Sequence, residues 1–164
     1  MQKKVVILGD SGVGKTSILF RYIFDKFDNQ NLPTLGASFK SKVIMLPNEN
    51  DAIKLNLWDT AGQEKFKSLT RMYYQEADAA LIVYDTTFME SFESAKNWVQ
   101  DLRENANKPD ILIALVGNKC DLTDKLEVVF EEAHTFAKSI KAEIIKETSA
   151  KDNNGINELF QDIA

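Results

Sequence analysis

The chain of 164 residues predicts an α/β fold: a six-stranded, mostly parallel sheet with one antiparallel edge strand and helices on both faces. Three observations predict it. Short unbroken Val/Ile/Leu/Ala runs, such as Val5-Val6-Ile7-Leu8 and Ala79-Ala80-Leu81-Ile82-Val83-Tyr84, read as strands buried on both sides. Stretches with helical spacing separate these runs. One pair of strands is joined by a short turn, Pro47-Asn48-Glu49-Asn50-Asp51, and so forms an antiparallel hairpin.

The elements follow in order. Residues 4–8 form the first strand, and residues 16 to about 24 the first helix. Residues 25–37 carry Asp25, Asp28, Asn29, Gln30, Asn31, Pro33 and Gly36 and read as a mobile polar loop. Pro33 biases Leu32 toward an extended conformation. Residues 39–46 and 53–58 are the hairpin strands; Ile53, Leu55 and Leu57 alternate with Lys54, Asn56 and Trp58, a period of two. A helix with an irregular start runs from residue 64 to about residue 76. Residues 79–84 form a strand. Ser91 is read as the cap of the next helix, whose Phe92, Ala95, Trp98, Val99 and Leu102 share one core-facing side. Residues 111–116 form a strand, 131–139 a helix and 143–145 the last strand. Asn153-Asn154-Gly155 turns the chain into a final helix with Ile156, Leu159 and Phe160 inward.

Bulk properties narrow the classes. The length suits one domain, residues 1–164. The formal net charge is −5, from 25 acids and 20 bases, so no basic surplus exists to meet a nucleic-acid backbone. The single cysteine, Cys120, cannot form an internal disulfide and suits a reducing compartment. No apolar run reaches the ~20 residues of a membrane span. Met1-Gln2-Lys3-Lys4 leads straight into a strand, so no signal peptide is expected.

Four clusters fall at strand ends: residues 9–16, 59–63, 117–121 and 148–151. In open parallel sheets that rim is where ligands bind. Gly9-Asp10-Ser11-Gly12-Val13-Gly14-Lys15-Thr16 has the form G-x-x-x-x-G-K-[ST], the P-loop, set between a strand and a helix as the motif requires. Its glycines let main-chain N–H groups, including those around Ser11, Gly12, Val13 and Gly14, point at phosphate oxygens, and the helix N-terminus beginning at Thr16 and Ser17 adds its dipole. Lys15 reaches the outer phosphates and Thr16 offers a hydroxyl to Mg²⁺. Asp59 is placed to hold Mg²⁺ through a water, Gly62 to bring an N–H to a terminal phosphate, and Gln63 to orient an attacking water. Thr34 can supply a second hydroxyl to the metal. Asn118 and Asp121 point to guanine, because a carboxylate accepts from two N–H donors and adenine lacks that pair. Lys119 would lie along the base, with Ser149, Ala150 and Lys151 beside it; Ala150 offers a main-chain N–H. Phe27 reads either as a plug of the core or as a ring against the base.

These segments, in order, resemble the small GTPases of the Ras superfamily, whose domain has the P-loop NTPase fold. Within it, Trp58-Asp59-Thr60-Ala61-Gly62-Gln63-Glu64-Lys65-Phe66 followed by Met72-Tyr73-Tyr74 is similar to the Rab branch. Thr34-Leu35-Gly36-Ala37-Ser38-Phe39 is similar to its endosomal members. The resemblance implies GTP and GDP binding with Mg²⁺, slow hydrolysis in which Gln63, Lys15, Thr34 and Gly62 take part, and two switch segments at about 25–38 and 60–75. It also implies exchange factors, activating proteins, and effectors that read Phe39, Trp58 and Tyr73. A cytosolic, monomeric protein is expected, either held to endosomal or vesicle membranes through a prenylated tail that this sequence, ending at Ala164, does not include, or a soluble variant without one. Residues 25–36 hold no Arg, so dependence on an activating partner is expected. Asn31 stands where some relatives place a Tyr. Two competing readings remain at this point: a nucleotide-binding scaffold with little turnover, and an ATP-using P-loop enzyme.

Overall fold

In the computed structural model, which describes residues 1–28, 37–47, 50–60, 62 and 67–164, six strands form one sheet. They are β1 (Gln2–Leu8), β2 (Ala37–Met45), β3 (Ala52–Thr60), β4 (Ala79–Asp85), β5 (Leu112–Asn118) and β6 (Ile144–Glu147). Their order is β2-β3-β1-β4-β5-β6. Only β2 and β3 pair antiparallel, with Phe39 opposite Trp58; the other neighbours are parallel. The helices are α1 (Lys15–Phe24), α2 (Lys67–Met72), α3 (Met89–Asn105), α4 (Phe130–Ser139) and α5 (Ile156–Ile163).

Strand alternation divides the core into two layers. Val5 and Ile7 turn toward α1 and α5, where they join Ile18, Tyr22, Leu159 and Phe160. Val6 and Leu8 turn the other way, toward Phe92, Trp98 and Leu102 of α3 and Ala133 of α4. The α/β architecture with one antiparallel edge is therefore as the hydrophobic pattern predicts. Ile156, Leu159 and Phe160 are all fully buried.

Several boundaries move, each for a tertiary reason. Strand β3 continues through Asp59 and Thr60, because Asp59 pairs with Ile7 and the Thr60 hydroxyl donates to the Ile7 carbonyl. Asp59 is thus part of the strand rather than following it. Strand β5 likewise runs on to Asn118, paired with Asp85. Glu143 lies before β6, and its carboxylate accepts the Ile113 N–H at 2.8 Å. The helix expected to reach residue 76 stops at Met72; Tyr73 and Tyr74 continue in i→i−3 turns, and Glu76 takes a φ of 60°. Ser91 does not cap α3. The chain enters that helix through extended Phe88, and the Met89 N–H goes to Glu127 Oε2 at 2.7 Å. Ser91 is buried inside the first turn, accepting from the Asp85 N–H at 2.8 Å and donating to the Phe88 carbonyl at 2.7 Å. Thr34, Asn31, Pro33 and Gln63, with the expected helix start at Glu64, lie outside the described residues. Among the described residues no helix is long and apolar enough to cross a membrane.

Candidate functional site

The carboxyl ends of β1, β3, β5 and β6 bring the expected clusters to one rim. The loop after β1 curls over the start of α1, with Gly14 at φ 99°. A Cβ at Gly14 would run into Asn118 Nδ2, so glycine serves both the left-handed backbone and a close approach. At Gly12 an added Cβ would meet nothing within 4 Å, so the loop opens outward there. Ser11 and Gly12 are exposed while Val13 is buried.

Lys15 is 5% exposed, and its ammonium donates to the Asp10 carbonyl at 2.9 Å, across its own loop. Burial lowers its pKa to about 8, against the opposing pull of Asp59 and Asp10. The Thr16 hydroxyl donates to Asp59 Oδ2 at 2.6 Å. Two hard oxygen donors therefore stand together beside a buried amine. Among the described residues no group of three His, Cys, Asp or Glu could hold a metal. Mg²⁺ fits such a place when phosphate and water oxygens supply the remaining ligands.

The loop after β5 is braced against the first. Asn118 Nδ2 donates to the Val13 carbonyl at 3.0 Å, and Asn118 Oδ1 accepts from the Thr148 hydroxyl at 3.1 Å. Lys119 takes a φ of 65°, and its ammonium donates to the Gly12 carbonyl at 2.8 Å and pairs with Asp85 at 2.9 Å. Asp121 accepts from the Ser149 hydroxyl at 2.8 Å, which joins the third loop to the second; Cys120 N–H to the Thr148 carbonyl at 3.0 Å is a further tie. Ser149 and Ala150 are buried and Lys151 is exposed. Cys120 is half-buried, and burial raises its thiol pKa, which fits a quiet thiol. Phe27 is partly buried, packed against the core layer containing α1 and α5. Gly62 lies against the backbone of residues 9–11: a Cβ there would collide with Gly9 O, Asp10 C and Ser11 N.

Away from the rim, Phe39, Trp58 and Tyr73 stand in a row, with ring centroids 4.8 Å and 5.0 Å apart, and Phe39 is 45% exposed. Three features escape sequence reasoning. Arg21 of α1 donates to the Ala150 carbonyl at 2.7 Å and the Lys151 carbonyl at 3.0 Å. Trp98 Nε1 donates to Asp10 Oδ1 at 3.0 Å. Asp101 accepts from Arg71 and Tyr74. No spacing connects these pairs; only the polar group on an otherwise apolar helix face at Asp101 hints at a partner.

Comparison with known proteins gives a consistent answer. Residues 4–164 match the Ras family. The chain is 51% identical to mouse (Mus musculus) Ras-related protein Rab-22A over 161 residues, covering 98% of this chain and 81% of that protein. It is 50% identical to human (Homo sapiens) Ras-related protein Rab-31, covering 98% and 80%. It is 45% identical to mouse Ras-related protein Rab-17, covering 98% and 73%.

Proposed function

Because this chain belongs to the Ras family, we infer that the rim holds a guanine nucleotide, with residues 9–16 around its phosphates and Asp121 against its base. The chain is a Rab-like GTPase, a switch in vesicle traffic that hydrolyses GTP to GDP and phosphate. The observation that carries the assignment of residues is the brace between the loops. Asn118 on Val13 and Lys119 on Gly12 set a base-reading carboxylate at a defined reach from a phosphate loop. A guanine edge with two N–H donors matches Asp121, and an adenine edge leaves that acceptor unpaired at about 1–3 kcal/mol.

The roles follow from chemistry. Main-chain N–H groups at Ser11, Gly12, Val13 and Gly14, with the first turn at Thr16 and Ser17, bind phosphate oxygens. Lys15 carries its charge to the outer phosphates. The Thr16 and Thr34 hydroxyls, and Asp59 through a water, would hold Mg²⁺, which supplies neutralisation of phosphate charge. Gln63 orients the attacking water, and the Gly62 N–H meets charge developing on the terminal phosphate. Lys119 flanks the base, Phe27 closes its far side, and Ser149, Ala150 and Lys151 complete the rim, with Ser149 holding Asp121 in place.

Thr34 and Gly62 release the two switch segments once the terminal phosphate is lost. Phe39, Trp58 and Tyr73 form the surface that effectors read. Exchange factors and activating proteins act at the same segments, and an Arg from an activating partner is worth ~10³–10⁵-fold in rate. Residues 1–164 act as one monomeric domain at the cytosolic face of endosomal or vesicle membranes. Competition of GDP and ADP for the purified protein tests the reading. GDP should win, and Asp121→Asn should lose GDP affinity and gain xanthosine diphosphate affinity, since an amide donates to a carbonyl where a carboxylate cannot. Equal binding of ADP, or an unchanged purine choice in Asp121→Asn, would refute it.

A further inference from the structure

Trp98 lies on α3 and is buried, so its indole N–H must find an acceptor. It finds one outside its own layer of the core: Asp10 Oδ1, at 3.0 Å and 88 residues away. Phe92, Ala95, Val99 and Leu102 of the same helix belong to the apolar core layer. Asp10 is the front lip of the phosphate loop, and three separate contacts converge on it. Its side chain is held by Trp98. Its carbonyl accepts the Lys15 ammonium at 2.9 Å. Its main chain, with Gly9 and Ser11, is the surface on which Gly62 rests. The helix making this contact is itself anchored one turn later, where Asp101 takes both Arg71 and Tyr74.

We propose that Trp98 is a positioning residue for nucleotide retention: its N–H fixes Asp10, and thereby the lip of the phosphate loop and the resting place of the Lys15 ammonium. The proposal rests on residues 9–16 being the phosphate loop, as inferred above. A bond from a neutral N–H to a carboxylate is stronger than one to a carbonyl. Without it the lip loses its side-chain tie to the body of the protein, and Lys15 loses a fixed carbonyl. The expected consequence is faster nucleotide release.

The experiment follows release of a fluorescent N-methylanthraniloyl GDP after a chase with excess GDP. Trp98→Phe keeps the ring and removes the N–H; Asp10→Ala removes the acceptor from the loop side, at a partly exposed position. Each should speed release by about ten- to a hundredfold. The double variant should release no faster than the faster single, because both lose the same bond. Asp10→Asn, which keeps a side-chain oxygen for the indole, should restore slow release. A merely structural Trp98 would lower the melting temperature without this pattern. Wild-type release rates in Trp98→Phe, or single effects that multiply in the double variant, overturn the proposal. Failure of the wild-type protein to bind the fluorescent GDP would remove the phosphate-loop reading beneath it, a result distinct from unchanged release by the variants.

Discussion

The Asp101 anchor of Arg71 and Tyr74 offers a quantitative test. Asp101 is 5% exposed and Tyr74 is fully buried. The Tyr74 hydroxyl donates to Asp101 Oδ2 at 2.7 Å, while Arg71 places Nε and Nη2 on Oδ1 at 2.9 and 2.7 Å. Burial, and then the bond to Asp101, push the Tyr74 phenol well above its ordinary pKa. Asp101→Ala leaves the Tyr74 hydroxyl inside the protein without its acceptor, a cost of about 1–3 kcal/mol. The Arg71 side chain is nearly half exposed and recovers water contacts, so the Tyr74 bond dominates. Tyr74→Phe removes a charge-assisted bond but leaves the carboxylate with Arg71, at about 1.5 kcal/mol. The double variant has no orphaned hydroxyl, so its loss should fall short of the sum of the singles by at least about 1 kcal/mol. Urea unfolding at a fixed excess of GDP measures this cycle, since ligand binding shifts stability equally only when held constant. At about 2–4 °C per kcal/mol for a chain of this size, thermal melting should order the variants identically. Amides of α2 should exchange faster in Asp101→Ala, because its carboxyl end loses its post. Additive losses within ~0.5 kcal/mol would show that the two side chains are neighbours without being partners.

Three further outcomes are expected. Gly14→Ala combines a φ of 99° with a clash at Asn118 Nδ2, so calorimetry should show GDP affinity reduced at least about tenfold, from strain of about 1–3 kcal/mol; unchanged affinity would mean the loop relaxes freely. Gly62→Ala meets immovable backbone at residues 9–11, so the segment must retreat, and single-turnover GTP hydrolysis should fall by about 10²-fold with GDP binding largely kept. Lys15 has a folded pKa of about 8 against 10.5 unfolded. Between those values the unfolded chain holds a proton that the folded chain has released, so the stability of the nucleotide-free protein should rise with pH from about 8 to 10.5. The difference between wild type and Lys15→Met in urea midpoints at pH 7.5 and 9.5 isolates that slope, and a falling slope would contradict the buried, desolvated placement of the amine.

Local pattern alone settles the α/β class, the single antiparallel hairpin and the assembly of four loops on one rim. Period-two alternation at residues 53–58, unbroken apolar runs at 5–8 and 79–84, and glycine placed before Lys15 are each consequences of backbone geometry that a short window contains. Tertiary structure decides the rest. Strand ends at Thr60 and Asn118 depend on which neighbour supplies the next ladder bond. Ser91 looks like a cap in sequence, yet Glu127, 38 residues away from Met89, takes the N–H at the head of the helix. Trp98 reads only as core, and no local pattern ties Trp98, Asp101 and Arg21 to the Asp10, Tyr74 and Ala150 that folding brings to them. The physical reason is range: propensity and periodicity act over a few residues, whereas a buried polar atom must be satisfied by whatever the fold delivers to it.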